Sequence, residues 1–147
     1  MKKTFLSGLL FLSCTYAICQ SGVNFSGDAD KTFGLIKNGA FKNGYQYLIT
    51  FAEVKEAAIN VTPNTDYLIF FVYDNSKHPA TDFKANLITP DSSLRKKYTA
   101  RPYDRGQVGV ARAQQLQFHT QQFSSGETKP VKLEAIPNAM IYVFYKK

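Results

Sequence analysis

The strongest local concentration of side chains that bind ligands is a basic, tyrosine-containing stretch in the second half of the chain. It runs from Arg95 to Arg105 (RKKYTARPYDR), and Asp104 is its one acidic residue. Guanidinium and ammonium groups bind phosphate, sulfate or carboxylate, and tyrosine rings stack on flat ligands. The stretch is therefore either a binding surface or a solvated connection between strands. The candidate binding residues are Arg95, Lys96, Lys97, Tyr98, Arg101, Tyr103 and Arg105.

Residues that would support catalysis or metal binding are sparse by comparison. The two histidines, His78 and His119, are far apart in sequence, and no G-x-S-x-G nucleophile motif is present. No pair of carboxylates stands out as the acid and base of a glycosidase. Asp28 and Asp30 lack the remaining ligands of an EF-hand, so we interpret them as a solvated acidic turn. We predict no catalytic residue, no metal site and no cofactor.

The N-terminus has the pattern of a secretion signal. Lys2 and Lys3 precede an apolar run, Phe5–Ser13, which is too short to span a bilayer. Small residues at positions 17 and 19 favour cleavage before Gln20, and a cut before Ile18 is the alternative. We predict a signal peptide over residues 1–19 and release of a soluble protein.

A second interpretation of the same segment is lipid attachment at Cys14, as in a bacterial lipoprotein. Both cysteines, Cys14 and Cys19, lie within the signal, so a chain that begins at Gln20 has neither a disulfide nor a free thiol. We expect an exported protein, periplasmic or extracellular, that contacts a membrane only if it is lipidated at Cys14. Its positive charge suits an acidic envelope protein or an anionic glycan, and nucleic acid is not an expected partner.

The mature chain has strand patterns almost throughout. Tyr45–Phe51 alternates polar and apolar side chains, as does Asp82–Thr89, whereas Tyr67–Tyr73 and Ala139–Tyr145 are continuous apolar runs between turn residues. Alternation is typical of a half-buried strand, and a continuous run predicts a strand that is buried on both faces. Helix is expected in one short segment at most, Phe51–Ala58.

These patterns predict an all-β fold, a single antiparallel β-sandwich (jelly-roll or immunoglobulin-like) of seven to nine short strands. A barrel with an internal cavity is the alternative architecture. The predicted organisation is a signal over residues 1–19, a loose lead over 20–38 and a sandwich domain over 39–147.

From Gly39 onward the order of turns and strands resembles the small exported β-sandwich modules called prepeptidase C-terminal domains. The resemblance rests on GYQYLITF (44–51), on DYLI (66–69) at the start of a central strand, on NLITPD (86–91) and on the closing MIYV (140–143). Pro137-Asn138 stands where the family has a Gly-Tyr pair. The resemblance implies a jelly-roll-like sandwich with an accessory, non-catalytic role.

Three functions follow as expectations. The first is a structural or accessory binding component of the bacterial cell envelope, with no enzymatic activity. The second is a carbohydrate- or lipid-binding module with a tyrosine-lined cleft, and the third is a small hydrolase. An open sheet edge would favour the first function because such an edge recruits partner strands, and a concave cleft would favour the second.

Overall fold

The structure is a computed structural model that describes residues 24–52, 56–78, 83–87, 97–121, 128–134 and 138–147. The predicted signal peptide, both cleavage positions and the lipidation site Cys14 lie outside these residues. Arg95 and Lys96, the first two candidate binding residues, lie outside them as well.

Within the described residues the chain is mostly β, with nine strands in two antiparallel sheets. The strands are β1 (Gln46–Phe51), β2 (Glu56–Val61), β3 (Asp66–Asp74), β4 (Lys84–Leu87), β5 (Lys97–Thr99), β6 (Arg101–Pro102), β7 (Ala111–His119), β8 (Lys129–Glu134) and β9 (Met140–Lys146). One sheet has the order β1-β9-β3-β7-β6, and the other has the order β2-β8-β4-β5.

A core of apolar side chains fills the space between the two sheets. One face of β3 contributes Tyr67, Ile69 and Phe71, which pack against side chains of the four-stranded sheet such as Val131 and Leu133. All five are buried. The shared core is consistent with a β-sandwich, because the inner faces of two sheets must remove each other's apolar side chains from water.

The outer face of the five-stranded sheet is covered by a helix, α1, over Phe25–Lys42. Asn24 caps it, since its side-chain oxygen accepts a hydrogen bond from the Gly27 N–H at 3.1 Å. The loose lead predicted over residues 20–38 is therefore wrong for its described part. The short helix expected at Phe51–Ala58 is wrong too, because β1 ends at Phe51 and β2 begins at Glu56.

The helix escaped prediction because its buried stripe is built from small residues. Ala29, Thr32, Ile36 and Ala40 recur every three or four positions and are buried, but Ile36 is the one large apolar side chain among them. Three glycines also lie within the helix, and each lowers its intrinsic propensity by about 1 kcal/mol relative to alanine. Burial against the sheet compensates for this weak propensity.

Side chains from α1 and from the sheet form a second core, so the strands beneath the helix are buried on both faces. Leu68, Phe70 and Val72 of β3 point toward the helix, together with Tyr142 and Phe144 of β9. Their neighbours along each strand belong to the core between the sheets. This confirms the burial predicted from the two continuous apolar runs.

A single carboxylate ties the first turn of the helix to the sheet. Asp28 Oδ2 accepts a hydrogen bond from the Val110 N–H at 3.0 Å, just before β7. Gly109 has φ +52°, and a Cβ there would collide with the carboxylate of Asp28. Only glycine allows this close approach without strain. The acidic turn predicted around Asp28 is thus wrong, because the residue lies in a helix and has a structural partner.

Candidate functional site

The basic stretch forms the crossing between the two sheets. Lys97–Thr99 is β5 of the four-stranded sheet, Arg101–Pro102 is β6 of the five-stranded sheet, and a turn of 3-10 helix follows over Asp104–Gly106. Ala100 lies at the crossing, where its N–H donates to the Phe83 carbonyl at 3.0 Å. The solvated connection between strands, one of the two interpretations from sequence, is therefore wrong for residues 97–102, because they form two short strands themselves. Strands of two or three residues are too short to show a period in sequence.

Its two tyrosines take part in packing. The Tyr98 ring stacks on Phe118 with centroids 5.1 Å apart, and Phe118 in turn stacks on Tyr67 at 5.3 Å. Tyr103 meets Phe70 edge-on at 5.0 Å in the core beneath the helix. Both tyrosines are half-buried, and burial raises the pKa of the Tyr98 hydroxyl. Tyr98 keeps one side toward a groove, whereas Tyr103 belongs to the helix–sheet contact.

The two arginines of the stretch that the structure describes, Arg101 and Arg105, are both exposed. Their surroundings differ, because Arg101 lies on β6 beside β7 and Arg105 lies in the 3-10 turn. Arg101 lines the groove described next, and Arg105 does not. No ion pair of either guanidinium is found within the described residues. Of the seven predicted residues, Tyr98 and Arg101 are thus brought together.

The groove lies along the edge of β7 that β6 leaves uncovered, next to Arg101, the first residue of β6. β6 pairs only with Gln114 and Gln115, although β7 continues to His119. The space left beside the rest of β7 has a volume of about 720 Å³. Its lining comes from the start of β3, the β5–β6 crossing and β7: Asp66, Tyr98, Thr99, Ala100, Arg101, Gln115, Leu116, Gln117, Phe118 and His119.

Polar side chains form a row along one wall of this groove. Arg101 and Gln115 are direct antiparallel partners, so their side chains lie side by side on one face of the sheet. Gln117 and His119 follow on the same face because strand side chains alternate. Gln117 Nε2 donates to the Tyr45 hydroxyl at 2.8 Å, outside the row.

The far end of the row is an acid–imidazole pair. His119 Nδ1 and Asp66 Oδ1 lie 2.9 Å apart, and both side chains are largely exposed. No group of three or more histidine, cysteine or acidic side chains that could hold a metal is found in the described part of the chain. The groove therefore offers amides, a guanidinium, an imidazole–carboxylate pair and the side of a tyrosine ring, a combination that is suited to recognition of a polar ligand.

The sequence interpretation missed four of the polar lining residues: Asp66, Gln115, Gln117 and His119. A signal for three of them is present in the sequence, since Gln115, Gln117 and His119 alternate with the apolar Leu116 and Phe118. Their proximity to Arg101 depends on which strand pairs with β7, and the sequence pattern does not contain that information.

A second surface is the open edge of the five-stranded sheet at β1. Tyr47, Leu48 and Ile49 are each 40–43% exposed, and Phe41 on the neighbouring side of α1 is 45% exposed. Tyr47 and Phe41 both contact the Phe144 ring edge-on, at 5.8 and 6.5 Å between centroids, so these two exposed side chains lie close together. We call Phe41, Tyr47, Leu48 and Ile49 the edge patch.

The edge patch contains a break in strand register. Tyr47 pairs with Phe144 and Ile49 with Val143, which leaves Leu48 as an extra residue. Such a bulge changes the face that the following side chains occupy, so Tyr47 lies on the helix side and Ile49 on the side of the other sheet. The uninterrupted alternation predicted for Tyr45–Phe51 is therefore wrong at Leu48.

Neither the helix of the structure nor comparisons with known proteins identify a function for this chain. No helix in the described ranges is long and apolar enough to cross a membrane. No protein-family model matches the chain, and no curated protein or solved structure matches it at a significant level. The resemblance to prepeptidase C-terminal domains stays a prediction.

Proposed function

We propose that the protein is an exported, non-catalytic binding component of the bacterial cell envelope and that it contacts a protein partner through the edge patch. The observation that carries this proposal is the location of the exposed large hydrophobic side chains. Among the described residues they are Leu35, Phe41, Tyr47, Leu48 and Ile49, so three of them are consecutive on one outermost strand. A concentration of exposed apolar side chains along one sheet edge is typical of interaction sites.

The other outermost strands carry features that oppose pairing with a further strand. β6 has only two residues, Arg101 and Pro102, and β5 has three. β2 begins with the exposed Glu56, whose carboxylate pairs with Lys132 at 2.9 Å. Short strands, proline and charge are the usual means of protecting an edge. β1 is six residues long and uncharged, and it is therefore the edge best suited to accept an extended, apolar segment of a partner.

The remaining parts of the proposal concern compartment and architecture. Lys2, Lys3 and the short apolar run that follows them support export to the periplasm or beyond. Attachment to a membrane through a lipid on Cys14 is the alternative. The face-to-face packing of the two sheets supports a sandwich of jelly-roll or immunoglobulin type, here with a helix on its outer face. An accessory, non-catalytic role agrees with the groove beside β7, whose polar side chains are suited to binding a ligand.

A capture experiment with matched variants tests the proposal. The chain from Gln20 to Lys147 would be immobilised and exposed to solubilised envelope from its source cell. Leu48→Lys places a charge in the edge patch, whereas Ala58→Lys places the same charge on β2, the outermost strand of the other sheet. We expect a partner that the native protein and Ala58→Lys retain and that Leu48→Lys loses. A partner retained equally by all three proteins would contradict the proposed surface.

Sedimentation velocity separates a foreign partner from a second copy of this chain. We expect the native protein to remain monomeric at micromolar concentration. If the native protein formed a dimer that Leu48→Lys dissociates, the partner at this edge would be a second copy of the chain and not an envelope protein.

The carbohydrate-binding alternative is favoured by a different observation, the groove beside β7.

A further inference from the structure

We propose that the groove beside β7 binds an acidic sugar residue, with Arg101 pairing with its carboxylate and Gln115 with its hydroxyl groups. This site is separate from the edge patch: the groove lies beside β6 and β7, and β1 is at the opposite end of the same sheet. The inference goes beyond the proposed function and does not depend on it.

Two unpartnered polar groups lie next to each other at the groove. Arg101 and Gln115 are paired residues on adjacent strands, and neither side chain has a hydrogen bond or ion pair within the described residues. Arg101 is exposed and Gln115 is half-buried. A guanidinium binds carboxylate through two parallel hydrogen bonds, and a carboxamide both donates to and accepts from hydroxyl groups. A sugar acid carries both kinds of group on one small ring.

The remaining lining fits the rest of such a ligand. The volume of about 720 Å³ is within the range of about 300–1,000 Å³ for small-molecule sites. Tyr98 provides an aromatic side wall, backed by its stack on Phe118, against which the apolar face of a sugar ring packs. The His119–Asp66 pair closes the far end with further hydrogen-bonding groups.

The charge of the protein favours an acidic over a neutral sugar. The chain carries a formal net charge of +7, and only two of its positive residues, Lys2 and Lys3, lie in the predicted signal. In the groove Asp66 lies against His119, whereas no acidic side chain in the described part of the chain forms an ion pair with Arg101. A positive field steers an anionic glycan toward the protein, and the free guanidinium gives it a fixed contact.

The test measures binding of an oligogalacturonate by isothermal titration calorimetry, with its methyl ester as the matched neutral ligand. Arg101→Gln removes the charge in the groove, and Arg105→Gln removes an equal charge in the adjacent turn. A charge-assisted contact of the usual strength predicts a loss of about tenfold or more for Arg101→Gln and for the methyl ester. Arg105→Gln should stay within about twofold, since it contributes only to the general field.

Changes in backbone amide chemical shifts on addition of the oligogalacturonate show where on the protein it binds. We expect shifts at Arg101, Gln115, Gln117 and His119, and melting curves of both variants that match the native protein. Equal losses for the two arginine variants would reduce the effect to general charge and overturn the proposal. Absence of binding by the native protein at millimolar ligand, shifts confined to β1, or equal competition by inorganic phosphate would overturn it as well.

Discussion

The packing of α1 on the five-stranded sheet predicts that substitutions at two adjacent helix positions, Leu35 and Ile36, differ strongly in their effect on the free energy of unfolding. Ile36 is fully buried in the core beneath the helix, whereas Leu35 is 49% exposed on the preceding position. Replacing either residue by alanine removes three carbon atoms from the same stretch of α1. The two substitutions therefore share their chemistry and differ in burial.

The expected cost of Ile36→Ala follows from the carbons that are removed. Each buried methylene contributes about 0.8 kcal/mol, so the lost transfer energy is about 2.4 kcal/mol. The cavity left between helix and sheet adds to this, and the total should reach about 3–4 kcal/mol. Leu35→Ala should change the free energy of unfolding by less than about 0.5 kcal/mol, because the site is exposed and alanine has high helix propensity.

Urea unfolding of the native protein and both variants, followed by circular dichroism and tyrosine fluorescence, measures these differences. We expect a lower midpoint for Ile36→Ala with an unchanged slope, which would show that helix and sheets unfold together. A reduced slope would mean that the helix detaches first. If Ile36→Ala cost no more than Leu35→Ala, the packing of α1 on the sheet would be refuted.

Three further predictions concern the helix, its anchor and a buried carboxylate. Gly34→Ala should raise the free energy of unfolding by about 0.5–1 kcal/mol in thermal melts, because a Cβ there meets nothing within 4 Å and helical glycine costs conformational entropy; a lower melting temperature would contradict this. Gly109→Ala should instead destabilise by more than about 1 kcal/mol in the same melts, owing to its positive φ and the clash with Asp28, and an unchanged melting temperature would exclude that contact. Asp74 is buried, and although burial alone would raise its pKa, hydrogen bonds from Ser76 and the nearby Lys77 bring the pKa below its usual value. Because the folded pKa is the lower one, the ionised carboxylate stabilises the fold above about pH 4, and this contribution is lost as pH falls through the folded pKa. Urea titrations of native protein and Asp74→Asn at neutral and acidic pH check it: the native protein should lose more stability than the variant on acidification, and equal losses would contradict the shift.

The parts of the fold that were predictable from sequence are those in which burial follows directly from composition. Ile69 and Phe70 are both fully or almost fully buried although they point to opposite faces, and a continuous apolar run is the pattern of such a strand. The helix was not predictable in this way, because Ala29 and Ala40 give a stripe of small residues. The sequence alone did not indicate that these small side chains lie against a sheet.

The candidate site also contains residues that were predictable from the sequence and residues that were not. Arg101 and Tyr98 stood out because charge and aromatic character are visible in a short window of sequence. Gln115 has no distinguishing feature in the sequence; its importance comes from its pairing with Arg101, which places side by side two polar groups that have no partner among the described residues. Register between strands is a long-range property, since it depends on turns and on the packing of both sheets.

The position of β9 in the sheet has a consequence for the order of folding. β9 lies between β1 and β3, and it is synthesised after every other described element. The Tyr145 hydroxyl donates to Gln46 Oε1 at 2.7 Å across 99 positions of sequence, which illustrates how long-range these contacts are. Domains dominated by such contacts fold in milliseconds to seconds rather than microseconds. A nascent chain that has not yet reached Met140 lacks the strand that joins β1 to β3 and the rings of Tyr142 and Phe144 on which α1 packs. We therefore expect the five-stranded sheet and the helix to pack together only after β9 has been synthesised.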